Sequence, residues 1–137
     1  MNPFHLAIAI KNLEETRTFY TTLFGAKVGR EAEKWIDFDF YGHQLSAHLK
    51  PEETCKISAN EVDGKFVPVR HFGIVLDWKE WHLLSDKLKE KSINFIIDPY
   101  IRFEGQLGEQ ATMFLSDPSG NALEFKSFKD KNQLFAT

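Results

Sequence analysis

Two segments of the sequence repeat the same order of elements, and this repeat is the strongest constraint on the fold. In each segment, a strand that alternates apolar with polar or small residues is followed by a helix N-cap and a helix. Three further strands follow the helix. The first-strand histidines, His5 and His71, stand 66 residues apart, and the helix caps, Asn12 and Asp77, stand 65 residues apart. The spacing therefore predicts one structural unit used twice in a chain of 137 residues.

The predicted strands alternate apolar residues with polar or small ones. FHLAIAI (4–10), WIDFDF (35–40) and QLSAHL (44–49) show this pattern in the first segment, and HFGIVL (71–76) and ALEFKSF (122–128) show it in the second. Successive side chains of a strand point to opposite faces of a sheet, so each segment has one apolar face that an amphipathic helix can cover. We predict an α+β fold of two βαβββ modules, whose helices lie on the outer face of a curled mixed sheet.

The repeat also sets the expected organisation of the chain. We predict a single domain over residues 1–137, with a first module at 1–50 and a second module at 69–128. The polar run between the modules predicts a linker loop at 51–68, and residues 129–137 form a C-terminal tail.

Charge and cysteine content exclude several classes of protein. The net charge is −3 and no block of like charges occurs, so nothing indicates a nucleic-acid or membrane surface. No apolar run approaches the roughly 20 residues of a membrane span. Cys55 is the only cysteine, so the chain cannot form an internal disulfide or a cysteine-based zinc cluster. A reducing cytoplasm is the expected compartment.

The residues that could take part in catalysis or metal binding lie on the face opposite the predicted helices. Its members are polar or aromatic and come from strands of both modules: His5, Trp35, Asp37, Asp39, Gln44, Ser46, His48, His71 and Glu124. Two neutral imidazoles and one carboxylate suit Fe(II), Mn(II), Zn(II) or Ni(II). Three ligands on one side of an ion leave positions open for substrate. His5, His71 and Glu124 are thus candidate ligands, and ordinary polar residues on a solvated face are the alternative.

Three stretches of the chain together resemble a known superfamily. FHLAIAIKNLEETRTFYTTLFG, HFGIVL and DPSGNALEF are similar to the vicinal oxygen chelate superfamily, which includes glyoxalase I, methylmalonyl-CoA epimerase, extradiol dioxygenases, fosfomycin resistance proteins and bleomycin-binding proteins. The chain looks most like its small, single-domain, extradiol-dioxygenase-like members. The resemblance implies an incompletely closed sheet that curls around a metal cavity, with His5, His71 and Glu124 as the metal ligands. It also implies a homodimer.

The resemblance leaves the remaining site residues open. The glyoxalase and epimerase branches take a fourth ligand from the last strand of the first module, where this chain offers His48 or Gln44 and no glutamate. His48 is thus a candidate general base, a candidate fourth ligand, or a polar residue at a sheet edge. Trp35, Gln44, Phe103 and Phe114 are candidate substrate contacts.

Three functions remain on this basis. The first is a dioxygenase that binds one divalent metal, with Fe(II) favoured over Zn, Mn or Ni, and a small substrate through two adjacent oxygens. The second is a glyoxalase- or epimerase-like lyase or isomerase on the same site. The third is a non-catalytic binding or resistance protein, against which the complete His, His and Glu set argues.

Overall fold

A computed structural model describes residues 1–54 and 59–137 of the chain, and Cys55 lies outside them. The chain divides into two compact units. The first contains Met1–Ile57 and Asp117–Asn121, and the second contains Ser58–Ser116 and Ala122–Thr137. Among the described residues, no helix is long and apolar enough to cross a membrane.

The first unit is a four-stranded mixed sheet with one helix. Its elements are β1 (His5–Ile10), α1 (Leu13–Phe24), β2 (Lys27–Ala32), β3 (Trp35–Phe40) and β4 (His43–Leu49). The strand order is β1-β4-β3-β2, in which β1 runs parallel to β4 and the other neighbours are antiparallel. A parallel neighbour at one edge requires a crossover, and α1 is part of that crossover.

The second unit repeats this topology and adds a hairpin. Its elements are β5 (Ala59–Val62), β6 (Lys65–Pro68), β7 (Phe72–Val75), α2 (Trp78–Glu90), β8 (Phe95–Arg102), β9 (Gln110–Ser116) and β10 (Ala122–Phe128). The main sheet has the order β7-β10-β9-β8, with β7 parallel to β10, and β5 pairs with β6 in a separate two-stranded sheet. The predicted pair of βαβββ modules is therefore confirmed.

The helix boundaries follow from the predicted capping residues. The Asn12 side chain accepts a hydrogen bond from the Glu15 backbone N–H at 2.9 Å, which satisfies one of the free donors at the start of α1. Gly25 ends α1 at φ 66°, where a residue without a Cβ carries no strain. At the start of α2, the Glu80 side chain accepts from the Asp77 backbone N–H at 3.4 Å.

Each helix covers the apolar face of its own sheet. In the first unit, the fully buried Tyr20 ring packs on Phe38 and Phe40, with ring centroids 5.3 and 5.7 Å apart. In the second unit, the buried Trp81 of α2 donates its indole N–H to the Phe125 carbonyl of β10 at 2.8 Å. The opposite face of each sheet is consequently left for the polar residues that the alternation pattern singles out.

Two segments contain more structure than the sequence predicted. The predicted linker loop at 51–68 contains a 3₁₀ turn, Pro51–Glu53, and the β5–β6 hairpin. The predicted tail at 129–137 contains a second 3₁₀ turn, Lys131–Phe135. The hairpin was missed because its strands have only four residues each and are mostly exposed, so they lack an alternating apolar pattern.

Candidate metal centre

The second unit brings two of the predicted metal ligands together. His71 Nε2 lies 3.1 Å from Glu124 Oε2, and the Glu124 side chain is only 13% exposed. Glu124 lies on β10, where it pairs with Phe114 of β9 and with Gly73 of β7. His71 comes immediately before β7, two residues ahead of Gly73. Sheet register therefore juxtaposes the imidazole and the carboxylate.

His71 is held in a defined orientation. Its Nδ1 lies 2.7 Å from the Pro68 carbonyl oxygen, which can only accept a hydrogen bond. The Nδ1 atom must therefore carry the proton. The ring also packs edge-on against Phe114, with centroids 5.1 Å apart. These contacts direct Nε2 of His71 toward Glu124.

Glu124 is held from its other oxygen. The Thr112 hydroxyl donates to Oε1 at 2.7 Å, and the Lys126 ammonium lies 3.4 Å from the same oxygen. The Oε2 atom is thereby left toward His71. A carboxylate that is oriented by a neighbouring donor in this way is typical of metal ligands.

Gly73 lies where β7 and the Glu124 backbone approach each other closely. A Cβ at this position would stand 1.6 Å from the Glu124 carbonyl oxygen, which is far inside van der Waals contact. Only glycine permits this pairing, so Gly73 is required for the position of Glu124.

We expect Gly73→Ala to destabilise the protein by about 2 kcal/mol or more, because the added methyl group must push β7 away from β10. Chemical denaturation measures this loss. Gly29→Ala is the matched control, since a Cβ there meets nothing closer than 3.6 Å and should leave stability almost unchanged. Equal stability of the two variants would contradict the close-approach explanation.

His5, the third predicted ligand, lies in the first unit and begins a chain of hydrogen bonds. Its Nδ1 is 2.9 Å from Gln44 Oε1, and Gln44 Nε2 donates to Asp37 Oδ2 at 3.1 Å. The Ser46 hydroxyl donates to the other Asp37 oxygen at 2.5 Å. Since the Asp37 carboxylate accepts hydrogen bonds, the Gln44 NH₂ must face Asp37 and its oxygen must face His5. His5 Nδ1 therefore donates to Gln44 Oε1, and Nε2 is the ring nitrogen outside this contact.

The two units can be superposed in register to find the position equivalent to Glu124. Glu124 pairs with Gly73, two residues after His71, and Ser46 pairs with Ala7, two residues after His5. The repeat thus places Ser46, and neither His48 nor Gln44, at the position equivalent to Glu124. Gln44 instead orients His5.

His48 lies farther along the same strand face. It pairs with Trp35 of β3 and with Ala9 of β1, four residues along β4 from Gln44, which pairs with His5. At about 3.3 Å per residue, that separation is roughly 13 Å. His48 is exposed and Trp35 is half-buried, so the two form one end of the polar face of this sheet.

The two predicted phenylalanine contacts have different environments. Phe114 is 3% exposed and packs against the His71 ring, so it helps to fix the orientation of that ring. Phe103 is 46% exposed and follows β8 with φ 55°, an uncommon backbone conformation for a bulky residue. Such local strain is typical of functional loops.

Sequence reasoning missed the residues that orient the candidate ligands. These are Pro68 and Thr112 in the second unit and Asp37 as a hydrogen-bond acceptor in the first. An isolated glycine inside a strand pattern was the available signal for Gly73. Among the described residues, the structure contains no cluster of three or more His, Cys, Asp or Glu side chains that could hold a metal ion.

Two βαβββ units, with a histidine before the first strand of the second and a glutamate on its last strand, define a glyoxalase-type fold. A family model for the Glyoxalase/Bleomycin resistance protein/Dioxygenase superfamily matches residues 3–125. The chain belongs to this superfamily, the vicinal oxygen chelate proteins. Its members are mostly enzymes that use a divalent metal, bind small molecules and commonly form dimers.

Individual relatives span several activities. The chain is 25% identical to the metallothiol transferase FosB of Lysinibacillus sphaericus over 121 residues, which is 88% of this chain and 78% of that protein. A crystal structure of a glyoxalase/bleomycin resistance protein/dioxygenase from Alicyclobacillus acidocaldarius is 36% identical, with a TM-score of 0.78 and coverage of 98% and 96% of the two chains. Lactoylglutathione lyase from Agrobacterium tumefaciens, at 18% identity, a TM-score of 0.69 and coverage of 99% and 97%, shares the fold.

Proposed function

We propose that the protein is a divalent-metal-dependent enzyme that binds a small substrate through two adjacent oxygen atoms. His5, His71 and Glu124 would hold the metal, which would act as a Lewis acid on the bound oxygens. The proposal depends chiefly on one observation, the close approach of His71 Nε2 to Glu124 Oε2.

The short distance between His71 Nε2 and Glu124 Oε2 requires a positive charge between the two atoms. Because His71 donates from Nδ1 to the Pro68 carbonyl, the Nε2 of a neutral ring would present a lone pair to a carboxylate oxygen 3.1 Å away. Two lone pairs at this distance repel unless a positive charge lies between them. A proton on the imidazole would supply that charge, and so would the divalent metal that the superfamily uses.

The donor set fits such a metal. His5 and His71 both have Nδ1 on an oxygen acceptor, so both offer Nε2, the arrangement in which a hydrogen-bond partner fixes the tautomer of a metal ligand. Two imidazoles and one carboxylate suit Fe(II), Mn(II), Zn(II) or Ni(II). Ser46 at the equivalent fourth position leaves a three-ligand set with open positions.

A dioxygenase acting on an ortho-dihydroxylated substrate with Fe(II) fits this three-ligand set. The similarity to a metallothiol transferase favours a second candidate, thiol transfer to a small molecule at the same metal. A glyoxalase- or epimerase-like lyase needs a base beside the metal, and the first unit has no glutamate at the equivalent position. His48, about 13 Å along β4, would serve as a base only for a substrate that extends toward Trp35.

Metal content and oxygen consumption test these assignments. We expect protein purified without added metal to contain, or to take up, one divalent ion per chain. An oxygen-electrode screen of catechols with the Fe(II) form then tests the dioxygenase, and loss of free thiol with the Mn(II) form tests transfer. Protein that takes up none of the four metals would contradict the proposal as a whole.

The Gln44 contacts give a separate prediction. We expect Gln44→Leu to weaken metal binding by about 10- to 100-fold, because the His5 ring loses the acceptor that fixes its tautomer and orientation. Calorimetric titration with Zn(II) measures the change. Gln106→Leu, in an exposed loop, is the control. Unchanged affinity in Gln44→Leu would show that His5 does not depend on this hydrogen bond for metal binding.

A further inference from the structure

The β5–β6 hairpin contacts the rest of the second unit at both of its ends. At its tip, the Asp63 carboxylate pairs with the Arg102 guanidinium of β8. At the end of β6, the Pro68 carbonyl accepts the hydrogen bond from His71 Nδ1 at 2.7 Å. The hairpin therefore connects β8 to the imidazole of a candidate metal ligand.

These two contacts lie at opposite edges of the main sheet of the unit. The strand order β7-β10-β9-β8 separates β7, which His71 precedes, from β8. At the usual strand spacing the two edges are about 14 Å apart, and an extended chain from the tip to the end of β6 covers a similar distance.

The hairpin also meets the face of this sheet that carries Glu124. On β8, Tyr100 pairs with Thr112, whose hydroxyl donates to Glu124. Arg102 follows Tyr100 by two residues, so both side chains point to the same face as Glu124. Since His71 also directs Nε2 to Glu124, the hairpin crosses the sheet on this face from one edge to the other.

Few contacts fix the position of the hairpin. Asp63 and Gly64 have φ of 50° and 74°, as a tight hairpin turn requires, so the turn residues set its shape. Both strands are short and mostly exposed, however, and a two-stranded hairpin is marginally stable by itself in water. Its position on the sheet depends on side-chain contacts such as the Arg102 pair and the Lys65 ammonium, 5.3 Å from the centre of the Tyr100 ring.

We propose that the β5–β6 hairpin (59–68) is a strap across the Glu124 face, and that Arg102 is the positioning residue that holds it closed. Through Pro68, the closed strap keeps the His71 ring in the orientation that a metal ligand requires. The inference rests on the proposed function, because the strap affects catalysis only if His71 holds the metal.

The ion pair at the tip is weak enough for the strap to open. The Asp63 side chain is 53% exposed and that of Arg102 is 23% exposed. An ion pair of this exposure changes an equilibrium by no more than about fivefold. The strap therefore opens to admit a small substrate, and its closure returns the Pro68 carbonyl to His71.

Hydrogen exchange in protein without added metal tests the strap. We expect Arg102→Gln to speed exchange of the His71 Nδ1–H and of the hairpin amides by about fivefold, because the tip loses its ion pair. Asp63→Asn breaks the same pair with a residue that tolerates positive φ, and should give the same increase. The double variant should exchange no faster than either single variant, since both remove one contact. NMR measures these rates, with the α2 amides as the internal reference.

A second ion pair of the unit is the control. Lys129→Met removes the pair with Glu109 and should leave the exchange of the His71 Nδ1–H unchanged. Unchanged exchange of this proton in both Arg102→Gln and Asp63→Asn overturns the inference. Equal acceleration of the α2 amides also overturns it, because that result shows a general loss of stability.

Zn(II) separates the strap from the proposed function. A metal on His71 Nε2 stabilises the closed strap, so Zn(II) should slow exchange of the hairpin amides in wild-type protein, although the hairpin provides no ligand. Zn(II) that binds without slowing them overturns the connection between strap and ligand. Wild-type protein that takes up no Zn(II) contradicts the proposed function, whereas the exchange rates without metal still decide whether Arg102 holds the strap.

Discussion

Replacing Glu124 by alanine will abolish metal binding at stoichiometric metal, with a loss of affinity of more than about 100-fold. Glu124 would be the only anionic ligand in the proposed set, and removing a ligand costs more than the 10- to 100-fold that loss of an outer hydrogen-bond partner costs. The substitution also leaves His71 Nε2 without the carboxylate that it faces at 3.1 Å. Calorimetric titration with Zn(II) and elemental analysis measure the loss.

A second carboxylate in the same unit provides the control. Glu109 has an 11% exposed side chain, close to the 13% of Glu124, and it pairs with Lys129. We expect Glu109→Ala to retain metal binding, although it loses an ion pair and some stability. Full retention of metal by Glu124→Ala would rule out this residue as a ligand and, with it, the proposed metal site.

Replacing Asp117 by alanine will destabilise the folded protein by about 3 kcal/mol. Asp117 is 4% exposed. It accepts hydrogen bonds at 2.9 Å from the Tyr20 hydroxyl, the Ser119 and Asn121 backbone N–H groups and the Asn121 side chain. Truncation leaves these donors without their acceptor, and each buried unsatisfied donor costs about 1–3 kcal/mol. Urea denaturation measures the change.

Asp130 is the matched control for this substitution. It too accepts from a backbone N–H two residues ahead, that of Asn132 at 3.0 Å, but it is exposed. Water can replace its hydrogen bonds, so Asp130→Ala should cost less than about 1 kcal/mol. Comparable losses in the two variants would mean that burial of Asp117 contributes nothing to its role.

The Asp117 effect should depend on pH in a defined direction. Burial raises the pKa of Asp117, and the hydrogen bonds from Asn121, Tyr20 and Ser119 oppose this rise only partly. A carboxyl group whose pKa is higher in the folded than in the unfolded chain stabilises most when protonated. The stability difference between wild type and Asp117→Ala should therefore shrink as the pH rises from about 4 through the folded-state pKa. A difference that grows over this range would contradict the direction of the shift.

The sequence predicted the ends of the helices well, because a single capping residue decides where a helix begins or ends. Asn12, Gly25 and Asp77 mark helix ends because capping depends on the residue at the cap itself. The β5–β6 hairpin was not predicted, although Asp63-Gly64 at its turn, both with positive φ, is a local hairpin signal. Its mostly exposed strands lack an alternating apolar pattern, and the hairpin also makes contacts outside the segment, such as the Arg102 pair with Asp63. Sequence patterns within a segment do not contain such contacts.

The candidate site was predicted in part. Strand alternation predicted that His71 and Glu124 share a face, and the structure brings their side chains within 3.1 Å. The sequence left His48 and Gln44 as alternatives for a fourth ligand. Strand register pairs Ser46 with Ala7, which places Ser46 at the position equivalent to Glu124. Gln44 instead forms a hydrogen bond with His5. A shift of one residue would reverse every side chain, and the sequence does not record which register forms.

The sequence by itself determined the two βαβββ modules and the superfamily, because alternation, caps and turn residues are properties of neighbouring positions. Only the tertiary structure decided how the candidate ligands are oriented. Pro68, Thr112 and Gln44 fix His71, Glu124 and His5 through hydrogen bonds between residues 3, 12 and 39 positions apart. Two of these three contacts cross between strands, and their partners are set by sheet pairing, which is a property of the folded chain.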